Sequence, residues 1–385
     1  MAGAYEGPSM TEHWNPTTPP LILHVIPTPA ARGAQREARA LADQLDSPGV
    51  RRHKVLSLFD GSPEVTPDFS VGLPGATNAA GFDPRLVPRL RAALTHHDPT
   101  VVISHGSDPM KYLVAAMIGR RRPLVYYAIG TYAGPRDRRL QVCLWRFLTG
   151  RADRVAACGE EVRSECTSLL GVPPARVFLT ANGRDPAVFF PREPGAVPTQ
   201  PTVVFVGALT AGKRPDRFID VVAALRARGI QLRAKVIGDG PLYEELIGPA
   251  KAVGVEMLGA RSDVAALLRQ ADLLMFPSLP AGEGMPGVLI EAGLCGLPVV
   301  ATAVPGVSTI VADGETGLVA ATDDLGGLVD AMARLLEDHG ARATMGQAAR
   351  ARCVERFNLS VVADRWLTIL RPLFPDPRAG LSPLP

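Results

Sequence analysis

The sequence predicts an α/β protein built from two doubly wound parallel sheets. Three observations carry this. Short apolar runs alternate with helical patterns from Leu21 to Leu179, which is the signal of successive βα units. A second series of the same kind opens at residues 203–206. Between the two, residues 191–201 are rich in Pro and Gly and read as a linker. A chain of 385 residues has room for two full cores.

Residues 1–20 are polar and Pro-rich, without a basic n-region or an apolar h-region, so they read as a flexible tail and not as a signal peptide. The run LILHVI at 21–26 ends at Pro27 and reads as a buried parallel strand. A loop carrying Gly33 leads into a helical pattern that ends at Leu45, closed by Ser47, Pro48 and Gly49. Residues 55–58 are the next strand, and 60–82, with their Pro, Gly and Asp, a long adaptable loop. Helix 85–94, strand 101–104, helix 110–118, strand 124–127, helix 138–148, strand 154–157, helix 160–169 and strand 177–179 follow.

In the second series Gly207 stops the first strand, 232–237 is the next, a helix starts at Ser262, and 273–276 is a further strand. Helices at 325–337, 341–355 and 360–373 close the chain. The expected division is a tail at 1–20, a first domain at 21–190, a linker at 191–201, a second domain at 202–358 and a terminal helix with tail at 359–385.

Composition is that of an ordinary globular protein, 46% hydrophobic and 21% charged. Residues 1–190 carry about +5 and the rest about −2. The basic half fits an anionic acceptor or surface, although a solvated basic face is the plainer reading. Five cysteines with no CxxC fit a reduced, cytoplasmic protein. No apolar run of ~20 residues exists to span a membrane. The seven histidines show no metal-ligand spacing, and Asp-x-Asp, Walker A and Gly-x-Ser-x-Gly motifs are missing. His96 and His97 read as a surface pair pointing apart. The arginines at 120–122 and at 136, 138 and 139 read as a solvated rim, and Trp145 and Phe147 as core contacts of their helix.

The chain is organised around residues 282–311, GEGMPGVLIEAGLCGLPVVATAVPGVSTIV. Glu283 sits in a Gly-rich turn and Glu291 eight residues on, in a run otherwise apolar. Pro286 suits the first helical position, where its missing N–H costs nothing. The helix start beyond Gly284 and Met285, at Pro286 and Gly287, then offers free N–H groups and a positive dipole end to an anion such as a diphosphate. Glu291, with two acceptor oxygens, suits a vicinal diol such as a ribose.

This string resembles the E-x7-E signature of retaining GT-B glycosyltransferases, specifically glycosyltransferase family 4. The likeness covers about residues 21–370 and is most specific from 203 to 319. It implies two Rossmann-like domains facing a cleft, a nucleotide diphosphate sugar as donor, no metal and no cofactor. It also implies donor contacts from Gly33, Gly207, Lys213, Gly238, Glu283, Gly284, Met285, Pro286, Gly287 and Glu291. In the family an Arg usually follows the glycine equivalent to Gly207. Ala208 stands there, and Arg214 is the candidate replacement. Arg261 is a candidate base contact. Asn182–Gly183–Arg184–Asp185 resembles the family's Asn-Gly-x-Asp segment, and the last helix typically crosses back to the first domain. Many members carry His-Gly where this chain has Ile129–Gly130. His105, ending the neighbouring strand, is the candidate for acid–base work in its place, with Asp108, Gly130, Thr131 and Tyr132 lining the acceptor side.

The expected function is retaining, metal-independent transfer of a sugar from a nucleotide sugar to a soluble small molecule, as in secondary metabolite or thiol biosynthesis, with Glu283, Lys213 and His105 in the catalytic roles. Alternatives are a lipid or polysaccharide acceptor at a membrane surface, a non-catalytic relative that keeps the cleft, and an epimerase or phosphorylase of the same architecture. No nucleic acid partner is expected, and any membrane association would be weak.

Overall fold

The computed structural model describes residues 19–29, 33–61, 65–72, 81–131, 139–193, 195, 200–280 and 283–374. Tyr132, Arg136, Arg138 and Gly282 lie outside them. The first half runs β1 (Leu21–Ile26), α1 (Gly33–Leu45), β2 (Arg52–Ser57), β3 (Phe69–Ser70), α2 (Leu86–His97), β4 (Val101–His105), α3 (Ser107–Ala116), β5 (Leu124–Ala128), α4 (Arg139–Gly150), β6 (Arg154–Ala157), α5 (Glu160–Ser168) and β7 (Val177–Leu179). The second opens with β8 (Thr202–Val206), α6 (Pro215–Ala227), β9 (Arg233–Ile237), α7 (Tyr243–Ala252), β10 (Val255–Met257), α8 (Val264–Gln270) and β11 (Leu273–Phe276). It continues with α9 (Gly287–Leu294), β12 (Val299–Thr302), α10 (Val307–Ile310), β13 (Gly317–Ala320), α11 (Leu325–Glu337), α12 (His339–Phe357) and α13 (Leu359–Leu370).

Two parallel sheets result, ordered β3-β2-β1-β4-β5-β6-β7 and β10-β9-β8-β11-β12-β13. Helices cover both faces, so the central strands are buried: every residue of β1, β4, β5, β11 and β12 is buried. Strand order reverses between β1 and β4 and again between β8 and β11. Open α/β sheets hold their ligands at such switch points, outside the carboxyl ends of the strands.

Residues 60–82 contain a short strand where sequence suggested only loop. Asp68 holds it. Its carboxylate accepts from the Val55 N–H at 2.9 Å and pairs with Arg39 and Lys54. These partners are distant in sequence, so no local pattern announces them. His96 and His97 are in contact edge to face, with centroids 4.9 Å apart, and His97 stacks on Phe69 at 3.8 Å. That corrects the expectation that the two point apart.

α13 packs against α1 of the first half. Its Trp366 is fully buried, with ring centroids 5.1 Å from Tyr127 and 6.5 Å from His105. A single apolar cluster consequently runs from the first sheet through α9, α12 and α13, while the far face of the second sheet has its own core.

Inside the first sheet lies a chain of three histidines. His24 on β1 shares Nδ1 with Nε2 of His105 at 2.9 Å and Nε2 with Nδ1 of His53 at 2.9 Å. None is more than 1% exposed. The end atoms, His53 Nε2 and His105 Nδ1, have no partner among the described residues. Burial holds His53 and His105 down to about 3, and burial followed by the neighbouring imidazoles holds His24 well below its usual range. All five cysteines are unpaired thiols. Among the described residues no helix is long and apolar enough to cross a membrane.

Candidate active site

The two domains meet around residues 283–291, where Gly284 bridges Gly130, just beyond β5. Three glycine-bearing loops build the floor on the second-domain side. A Cβ on Gly238 (φ +144°) would lie 1.9 Å from the Gly207 carbonyl oxygen, so the loops after β8 and β9 touch backbone to backbone. Leu209 N–H donates to Asp239 O at 2.9 Å, and Gly238 N–H to Gly259 O at 2.8 Å. The loop after β11 joins them through Leu279 N–H, which donates to Gly212 O at 2.7 Å.

On this floor the structure brings Lys213 and Glu283 together. The Lys213 Nζ donates to Glu283 Oε1, and it lies 5.3 Å from the Phe276 ring centroid, a cation–π distance. Glu283 is 6% exposed. A carboxylate so enclosed needs its cation, and an ammonium shared with one carboxylate oxygen still has two N–H groups to offer.

The peptide of Gly284 is gripped by both domains. It forms an antiparallel bridge to Gly130. A Cβ at Gly284 would lie 2.2 Å from the Ile129 oxygen, and one on Gly306 (φ +80°) 2.2 Å from the Gly284 oxygen. Next to it, Asn182 Nδ2 donates to Met285 O at 2.9 Å while Tyr127 Oη donates to Asn182 Oδ1 at 2.7 Å. Gly284→Ala is therefore expected to wedge the domains apart. Displacing catalytic groups by about 1 Å costs roughly 10²-fold in rate. A kcat measurement on a variant with unchanged far-UV circular dichroism checks this, and an unchanged kcat would show that the bridge is dispensable.

Pro286 is not the first helical residue. Its ψ of 103° is extended, and α9 starts at Gly287, with Leu289 N–H donating to Pro286 O at 3.1 Å. Pro286 thus takes the cap position. The bridge at Gly284 and the Asn182 contact to Met285 hold the preceding chain extended, and the first turn begins only beyond them. The first N–H groups of α9 have no partner within the helix, and Gly287 and Val288 at its start are half-buried, as is Glu291.

Glu291 does not stand alone. Arg184 Nε donates to its Oε1 at 2.7 Å, and Arg184 Nη1 donates to Glu37 Oε2 at 2.6 Å. Glu37, on α1, is 1% exposed and also accepts from Gly183 N–H at 2.8 Å. Burial raises the Glu37 carboxyl above its usual range. Burial opposes the charge on Arg184, yet Glu291 and Glu37 together raise its pKa.

Sequence reasoning assigned no role to Arg184, Glu37 or Asn182. A signal for Glu37 existed: it shares the apolar stripe of α1 with Ala38, Leu41, Ala42 and Leu45, and a carboxylate on such a stripe needs a buried partner.

Several candidates lie elsewhere. Arg214, left-handed at φ +52°, turns to Asp216 at 2.9 Å and so is engaged beside α6 instead of replacing the cation missing at Ala208. Arg261 is exposed and paired with Asp263 at 2.7 Å. Asp108 pairs with Lys111 at 3.0 Å in the first turn of α3. Gly33 opens α1, and a Cβ there would meet nothing within 4 Å among the described residues. Gly130 stands at the domain contact, and both it and Thr131 are half-buried.

His105 is corrected outright. At 1% exposure, under Trp366 and bonded to His24, it faces no acceptor. The strand β4 extends one residue further than its apolar run, and α13 covers its end.

Comparison with known proteins agrees with this architecture. Residues 31–188 match the family described as Glycosyltransferase Family 4, and residues 200–338 match Glycosyl transferases group 1. The D-inositol 3-phosphate glycosyltransferase of Actinosynnema mirum is 30% identical over 369 residues, 83% of this chain and 84% of that one. The enzyme of the same name from Kribbella flavida is 33% identical over 220 residues, about half of each chain. N-acetyl-alpha-D-glucosaminyl L-malate synthase of Bacillus anthracis is 28% identical over 285 residues, 70% of this chain and 73% of that one. Among solved structures, Anabaena Alr3699/HepE in complex with UDP-glucose superposes with a TM-score of 0.75 at 22% identity, covering 91% of this chain and 99% of that one. The fold is GT-B, and on these matches the chain belongs to glycosyltransferase family 4.

Proposed function

We propose that this glycosyltransferase moves a sugar, with retention at the anomeric carbon and without a metal, from a nucleoside diphosphate sugar to a small, soluble, hydroxyl-bearing acceptor. The observation that carries the reading is the convergence of Lys213, Glu283 and the start of α9 at the β8/β11 switch point, where Gly284 also bridges the first domain at Gly130. A diphosphate seated at the α9 amides gains charge as the glycosidic bond breaks. The helix end and the Lys213 ammonium stabilise that charge before it forms, so neither must reorganise during the step. Glu283, freed from Lys213 on one side, accepts from hydroxyls of the transferred sugar and orients its ring.

The free oxygen of Glu291 accepts from the ribose. Neither Ile129, in the position of the family's histidine, nor His105 serves as base: Ile129 cannot titrate and His105 is buried. The acceptor proton then passes to a phosphate oxygen of the leaving group, which is near by construction in a front-face reaction. The donor class is supported by the UDP-glucose complex of the structural neighbour. The acceptor class is supported by relatives named for inositol phosphate and malate acceptors. The reading places the reaction in the cytoplasm.

A thermal-shift panel of uridine, adenosine and guanosine diphosphate sugars tests the donor, since a ligand that binds only the folded state raises its melting temperature. NMR of the product's anomeric proton tests retention, and EDTA is expected to leave the rate unchanged. Glu291→Ala should weaken nucleoside diphosphate binding by about 1.5–3 kcal/mol. Unchanged affinity in the folded variant would remove Glu291 from the ribose site.

A further inference from the structure

We infer that Arg184 is a donor-binding residue, placed to donate a hydrogen bond to the phosphates at the start of α9 while it orients the Glu291 carboxylate for the ribose. The inference rests on the nucleoside diphosphate reading above and adds a residue that the family resemblance does not supply.

Four observations place the side chain. Its backbone is fixed on both sides where the chain crosses from α12 to α13: Arg184 N–H donates to Phe357 O, and Arg184 O accepts from Leu359 N–H, each at 2.9 Å. Two of its three nitrogens are engaged, Nη1 with Glu37 and Gly183 O and Nε with Glu291. The third, Nη2, has no hydrogen-bond partner among the described residues. It lies directly over the first residue of α9: a Cβ on Gly287 would sit 2.2 Å from Nη2 and 3.1 Å from Cζ.

The absence of a side chain at 287 is what admits the guanidinium. A half-buried guanidinium with a spare pair of N–H groups can take one more acceptor, and a phosphate oxygen is the acceptor its planar fork suits best. Its position also compensates for Ala208, because Arg214 and Arg261 are spent on their own aspartates. Through Nε the same group turns Glu291 Oε1 away, leaving Oε2 for the ribose. Through Nη1 it ties the donor site to α1 of the other domain.

Titration calorimetry with UDP, ADP and GDP, each paired with its nucleoside, tests this on the full chain. Arg184→Met alone leaves Glu37 buried and unpaired, so the double variant Arg184→Met/Glu37→Gln is measured beside it. Gly287→Ala, which displaces the guanidinium while keeping every charge, is a third arm. The expected result is a loss of roughly 10- to 100-fold in diphosphate affinity in the double variant and in Gly287→Ala, with the nucleoside affected far less. Arg184→Lys should recover part of it.

Parent protein that binds none of the diphosphates overturns the donor reading, and this inference with it. Parent protein that binds, beside a folded double variant and a Gly287→Ala variant that bind as tightly, overturns only the assignment of Arg184. Equal losses for nucleoside and diphosphate would make Arg184 a structural link between domains and nothing more.

Discussion

Lys213→Ala is expected to slow sugar transfer by roughly 10²–10³-fold, the usual cost of removing one preorganised charge-stabilising donor. Nucleoside binding should change little. The reason lies in when the contact matters. The diphosphate becomes more negative as the glycosidic bond breaks, so a cation held beside it binds the transition state more tightly than the ground state. The Lys213 ammonium is held by Glu283 and over the Phe276 ring. It is thus oriented before the donor arrives.

The substitution also leaves Glu283, 6% exposed, without its cation. Thermal melts of Lys213→Ala and of Lys213→Met/Glu283→Gln separate that structural cost from the catalytic one. A kcat loss that vanished in the double variant would mean the pair serves only to keep the turn folded.

The second large effect is on stability. The chain is expected to lose stability steeply as pH falls below about 6.5, through the His24–His53–His105 chain. These groups are neutral in the folded protein because their pKa values are depressed, to about 3 for His53 and His105. In the unfolded chain they titrate near 6.5. Above that pH both states are neutral and the three contribute no slope. Between it and about 3 the unfolded state binds protons that the folded state refuses, so stability falls as pH falls. The slope is at most about 1.4 kcal/mol per pH unit for each histidine, about 4 for three.

A domain stable by ~5–15 kcal/mol exhausts much of that within two or three pH units. Urea titrations between pH 7 and 5, where most carboxylates do not titrate, check this. His97, held down by burial and by His96, adds a smaller part. His53→Leu should flatten the slope by about one third. A slope unchanged by that variant would show that the triad is not its source.

The same triad marks where sequence reasoning ended. That His105 closes a strand was visible in residues 101–105. That its ring is unavailable was not, because the groups that enclose it are His24, 81 residues earlier, and Trp366 on α13. Arg214 failed for a similar reason. Arg214 was the candidate replacement for the cation missing at Ala208, yet it is consumed by Asp216, two residues on. Lys213 and Glu283 were each visible as candidates, but their contact was not legible, since 70 residues separate them.

By itself the sequence determined the two parallel sheets, most of their elements except β3, and the stretch at 283–291 as the centre of the chain. Periodicity, glycines and prolines act over a few residues, and a parallel βα unit needs little more. Only the tertiary structure decided which polar groups meet there. Burial makes each buried charge find a partner, and in this fold the partners come from α1, α9 and the α12–α13 crossing at once. Arg184 could be given its place between Glu37 and Glu291 only when those three elements were packed together.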